Sequence, residues 1–111
     1  MNPLTIGLTP FERPDAKLAT AWALAGGLAV LDLGRDRDAG LEALRRVTKR
    51  ARGPFGVRIP EGSAWTHADL PDSVNTVMLP AGADVASFPG RTVAVQVVSV
   101  AEGRAALDAG A

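Results

Sequence analysis

A chain of 111 residues with 47% apolar content holds at most one domain or a piece of one, and with 5% aromatics its core must be built from Ala, Val and Leu. Twelve basic and twelve acidic residues cancel to zero formal charge, which argues against nucleic acid or an anionic membrane surface as a main partner. No cysteine is present, which excludes disulfides, thiolate metal sites and a cysteine nucleophile.

The opening stretch, MNPLTIGLTPFERPD, lacks the basic and long apolar regions of a signal peptide. No apolar run approaches the ~20 residues that span a bilayer. A soluble, cytoplasmic setting is the expectation. Residues 4–8 (LTIGL) form the first strand candidate, and Pro10, which cannot donate to a ladder, ends it. Asp15 is placed to cap a helix that begins at Ala16. Leu18, Ala21, Trp22 and Ala25 recur at i, i+3, i+4 and i+7, which puts them on one face of that helix. Gly26 and Gly27 stop it, because glycine takes the left-handed conformation without a Cβ penalty.

The run LAVLDL (28–33) is almost continuously apolar, as a parallel strand covered on both faces would be. A second helix starts at Asp36 or Asp38 and carries the stripe Leu41, Leu44, Val47 and Ala51. Its basic last turns, with Arg45, Arg46, Lys49, Arg50 and Arg52, complement the helix dipole before Gly53-Pro54 ends it. FGVRI (55–59) is the third strand. One helical turn is expected near 64–69 and short turns within 82–90. VNTVML (74–79), halted by Pro80, and VAVQVV (93–98) are the fourth and fifth strands. Ser99 and Glu102 form a capping box for a last helix over 101–109.

Five apolar runs separated by mostly helical patterns indicate repeated βα units and a parallel sheet, and no Asn-Gly or Asp-Gly hairpin signal competes. In such folds ligands bind at the carboxyl ends of the strands. That rule selects Thr9, Pro10 and Phe11, then Asp32 and Gly34, Arg58 and Glu61, Leu79 and Pro80, and finally Gln96 and Ser99.

Arg58 is the sharpest of these. It can meet a phosphate, a flavin carbonyl or an acyl carboxylate. The structural reading, pairing with Asp32 or Glu61 or reaching solvent, ranks ahead of those. Gln96 alternates with apolar neighbours, and either lines a barrel interior against a cofactor or is a hydrogen-bonded core amide. His67, the one histidine, has no second ligand at metal spacing, so no metal site is expected. Trp22 and Trp65 read as packing residues. GxGxxG and GxxxxGK[ST] are absent.

Taken together, LTIGLTPF, PDAKLATAWALAGGLAVLDLG, GPFGVRIP and TVAVQVVSVAEGRAALDAGA resemble the opening half of the nitronate monooxygenase and FMN-dependent enoyl reductase family, in the versions fused to modular polyketide or polyunsaturated fatty acid synthases. In that family the first helix ends in Ala-Gly-Gly, like Ala25-Gly26-Gly27. The third strand reads Pro-Phe-Gly-Val and then a polar residue, like Pro54 to Arg58. The fifth strand ends in a small hydroxyl residue before an alanine-rich helix, like Ser99 and residues 101–109. Two positions differ: the family has a polar amide, commonly Asn, at Arg58, and Ala-Pro-Met near Thr9-Pro10-Phe11.

The resemblance implies an α/β fold that is a partial (β/α)8 TIM-type barrel of about five parallel βα units, with residues 1–111 as its incomplete N-terminal part. A whole barrel takes ~250 residues. It also implies FMN as the cofactor of the complete parent, with Thr9, Pro10, Phe11, Arg58 and Gln96 at the flavin side. The family's phosphate-binding loops lie beyond Ala111. The implied function is that of an N-terminal fragment of an FMN-dependent oxidoreductase barrel within a synthase, inactive alone. Its partners would be the remainder of the barrel or synthase and an acyl carrier domain. The competing reading is a non-catalytic, degenerate barrel segment that serves as a structural or docking module. An incomplete barrel also leaves strand edges open to association.

Overall fold

The computed structural model describes residues 6–8, 15–51, 53–63, 65–96, 104–105 and 107–110. Five strands form one sheet: β1 (Ile6–Leu8), β2 (Leu28–Asp32), β3 (Phe55–Arg58), β4 (Val74–Pro80) and β5 (Thr92–Gln96). Every neighbouring pair is parallel, and the spatial order is the chain order, β1-β2-β3-β4-β5. Helix α1 (Ala16–Leu24) joins β1 to β2, and α2 (Arg37–Arg50) joins β2 to β3. Single 3-10 turns at His67–Asp69 and Val85–Ser87 serve the later connections. This is a mixed α/β architecture with an all-parallel sheet, as expected. The expected last helix lies partly outside the described residues; residues 104, 105, 107 and 108 are helical. Ser99 and Glu102 are outside them, as are Thr9, Pro10 and Phe11.

Both helices start as the carboxylates dictate. The Asp15 side chain accepts from the Leu18 amide at 3.0 Å, and Asp36 accepts from Asp38 and Ala39 at 3.0 and 3.2 Å. Of the two candidate starts for α2, Asp36 is therefore the cap. After α1, Gly26 takes φ +91°, the left-handed exit that a Cβ would strain.

The core forms where α1 and α2 cover one face of the sheet. Ala29, Leu31 and Leu33 meet Phe55, Val57 and Ile59, then Val77 and Leu79, beneath Ala43, Leu44 and Val47 of α2. The stripe expected on α2 is seen, with Leu41 and Ala51 partly buried at its margin.

The face of α1 that carries its periodic apolar residues is not the buried one. Ala16 and Ala19 are buried and Ala23 packs beside them, whereas Leu18, Ala21, Trp22 and Ala25 are exposed. Small side chains let this helix lie close to the sheet, and alanines stand on both of its sides, so hydrophobic periodicity favoured the face with the larger residues. Trp22 instead covers Gly27, where a Cβ would strike its indole.

The strand ends differ slightly from expectation. Pro80 is the last residue of β4, aligned with Gln96, and β3 ends at Arg58 with Ile59 donating onward to Met78 O at 2.9 Å. Among the described residues no helix is long and apolar enough to cross a membrane.

Candidate functional site

The period of two along a strand puts Val30 and Asp32, Gly56 and Arg58, Thr76 and Met78, and Ala94 and Gln96 on the face turned away from α1 and α2. Register then aligns them. Asp32 lies beside Arg58, Arg58 beside Met78, and Met78 beside Ala94. Gln96 stands one step further along β5, level with Pro80. Asp32, Arg58 and Gln96 are the last residues of their strands.

Arg58 connects this row. Its Nη1 donates to Asp32 Oδ2 at 2.7 Å, and its Nε donates to Gln96 Oε1 at 2.6 Å. Asp32 is wholly buried, and its Oδ1 accepts from the Gly34 amide at 2.9 Å. Gly34 itself takes φ +68°, in the left-handed region that favours glycine. The Arg58 side chain keeps 15% exposure, so one end of the ion pair is dry and the other meets the strand-end surface. A buried carboxylate with an Arg partner and a backbone donor is held in one geometry. It therefore orients the guanidinium towards β5.

Three of the residues selected from the sequence, Asp32, Arg58 and Gln96, thus meet across β2, β3 and β5. Of the alternatives for Arg58, the structure contains the Asp32 pair; Glu61 is exposed in the loop after β3. Beneath the row, a Cβ on Gly56 would stand 3.3 Å from Thr76 and from the Val30 side chain. Glycine there leaves room for the neighbouring strands' side chains, a role that a glycine inside a strand pattern signals.

Sequence reasoning missed Arg91. Its Nε donates to Val74 O at 2.8 Å, and Nη2 donates to Leu70 O and Pro71 O at 3.0 and 3.1 Å. Its Nη1 donates to His67 O at 3.3 Å and also contacts His67 Nδ1. This one guanidinium ties the turn before β4 to the start of β5. His67 is exposed and serves that clasp; among the described residues no group of three His, Asp or Glu side chains is placed to hold a metal. Trp65 is a buried packing residue, as expected, with the Arg37 guanidinium 5.2 Å from its ring centre. Arg37 also donates to Asp69 Oδ1 at 2.6 Å. That bond, followed by the Thr66 amide at 2.8 Å, holds the Asp69 carboxyl below the usual carboxylate range.

FMN can be tested against these residues. The polar edge of its ring offers carbonyl acceptors and an imide N–H, for which a guanidinium and a carboxamide at the ends of β3 and β5 are suitable partners. Arg58 and Gln96 fit that edge. The phosphate is another matter. A helix N-terminus is the ready-made phosphate seat in α/β folds, but the starts of α1 and α2 are already capped by the carboxylates of Asp15 and Asp36. Among the described residues, the starts of α1 and α2 therefore offer no open phosphate seat. No family model, curated protein or solved structure matches the chain.

Proposed function

We propose that the chain is the N-terminal part of an FMN-dependent oxidoreductase barrel of the nitronate monooxygenase and enoyl reductase type, carried within a polyketide or fatty acid synthase. The observation that carries this reading is the Asp32–Arg58–Gln96 row, at the carboxyl ends of parallel strands in chain order and on the side away from the helices. Chain-order parallel strands are how a (β/α)8 barrel is laid down, and its inner face is where such a row would meet a ligand. In the parent, Arg58 and Gln96 would hold the polar edge of the flavin ring, and Asp32 would keep the guanidinium aimed. Bound FMN would supply hydride or oxygen chemistry at its N5 region.

The test is to purify a longer polypeptide that continues past Ala111. It should be yellow with bound flavin, and Arg58→Ala should lower flavin retention. A colourless protein that ignores added FMN would overturn the reading. The second reading, a non-catalytic structural or docking module, draws on one observation: Arg58 is engaged on two sides by Asp32 and Gln96, so the row can act as a brace with no ligand.

The partners follow from the same reading. They are the remainder of the barrel or synthase and an acyl carrier domain at the basic end of α2. Arg45, Arg46, Lys49 and Arg50 are all exposed there, with Arg46 sharing its charge with Glu42 at 2.7 Å. Reversing the four to Glu should abolish carrier binding in a titration. Unchanged binding would remove this partner.

A further inference from the structure

We propose that the groove between α2 and the connection from β3 to β4 is a docking site for an acidic amphipathic helix of a partner protein. The groove measures about 380 Å³ and has Leu41, Leu44 and Pro71 along its walls.

Its origin lies in the pattern of crossovers. In a (β/α)8 arrangement the helices of successive crossovers form one outer ring. Here the described part of the β3–β4 connection carries only the 3-10 turn His67–Asp69. The flank of α2 against which a next helix would pack therefore keeps Leu41 half-buried, over a buried Leu44. Further βα units would add beyond β5 and would not enter between α2 and β4. A space of helical shape is thus left beside a helix.

Charge selects what fills it. Arg45 and Lys49, exposed and one turn apart, border the groove. Among the described residues neither has a carboxylate partner, whereas the nearby Arg37 and Arg46 are paired with Asp69 and Glu42. The Asp69 carboxylate, which also reaches the groove, is engaged by Arg37 and the Thr66 amide. Complementing the helix dipole accounts for Lys49 in the last turn but not for Arg45, since that effect fades within one turn. Apolar walls beside two uncompensated cations match a helix with leucine-like side chains on one face and acids four residues apart beside them. Arg46 and Arg50 line the cleft against α1 instead, so the site uses two of the four basic residues. It holds whether or not the strand-end row takes flavin.

The test is fluorescence anisotropy with the whole chain and a stapled synthetic peptide. The peptide matches the 14 residues of α2 in length, with leucines at i, i+3 and i+7 and glutamates beside them. The control has the same residues in scrambled order. The ordered peptide should bind saturably, at least about tenfold tighter than the control. Arg45→Glu combined with Lys49→Glu should weaken binding about tenfold, and Thr48→Phe, which fills the groove without changing charge, should do the same. Thr48 is exposed and bonds Leu44 O of its own helix, so folding, followed by far-UV circular dichroism, should be retained. Arg46→Glu combined with Arg50→Glu should change affinity by less than about threefold at about 0.15 M salt, where the Debye length is ~8 Å. Amide chemical shifts of the wild type give a reading that needs no variant: they should move at Leu41, Leu44, Thr48 and Asp69. Absence of saturable binding, equal affinity for the control, indifference to either groove variant, or shifts confined to α1 would overturn the proposal. If the peptide binds and an acyl carrier domain does not, the groove stands and the carrier reading falls. The flavin reading fails separately, on colour and FMN binding by the longer polypeptide.

Discussion

At the residue scale, the central quantity is the worth of the Asp32–Arg58 pair. Removing one partner from a buried ion pair costs far more than the pair itself gains, because the other charge stays behind in a dry site. Arg58→Met should therefore destabilise the protein by about 3 kcal/mol in urea unfolding, while Asp32→Leu combined with Arg58→Met should recover much of that loss. A double variant as unstable as the single one would show that the pair holds the strands by more than charge balance. Asp69 gives a pH signature. Its folded carboxyl is held below the value of 3.8 that an unfolded carboxyl shows, chiefly by Arg37. Its stabilisation is complete above that value and is lost as pH falls through the folded one. Asp69→Asn should thus lower stability at neutral pH and converge with wild type in acid, measured by urea midpoints across pH 2 to about 6.

Arg58 and Gln96 were legible in the sequence because a polar residue that interrupts an apolar strand must find a partner. The Asp32 partner of Arg58 was legible only as one option, since register between strands separated by helices is set in three dimensions. Arg91 was not legible. An arginine in a turn looks like any solvated charge until the carbonyls of Leu70, Pro71 and Val74 are seen to converge on it. Arg91→Lys should fail to restore what Arg91→Ala loses, about 2 kcal/mol, because an ammonium cannot span carbonyls in a planar fork. Equal stability of the Lys variant and the wild type would reduce the clasp to simple charge.

At the element scale, α2 shows how a helix start can be fitted to a neighbour. Gly40 lies in its first turns, where glycine costs helix stability relative to alanine. A Cβ there would stand 2.6 Å from Leu33 O and 2.6 Å from the Trp65 ring. Close approach of indole to backbone outweighs propensity. Gly40→Ala should lower stability by about 2 kcal/mol in thermal or urea unfolding, although it improves the helix in isolation. The patterns behind α2 and β2 were plain because large apolar residues mark the buried side. The pattern behind α1 misled for the opposite reason, since Ala16, Ala19 and Ala23 bury the helix while Leu18 and Trp22 remain outside.

At the scale of the whole molecule, the strand order has a consequence for how the chain reaches its structure. Each strand pairs with the strand made just before it, so every ladder closes over one short connection and none waits for distant residues. Parallel sheets are slow to form when their partners are far apart in sequence, because loop closure must precede any reward. Here a chain leaving the ribosome can add strand by strand to a sheet already begun. Among the described strands, the growing edge is always the newest one.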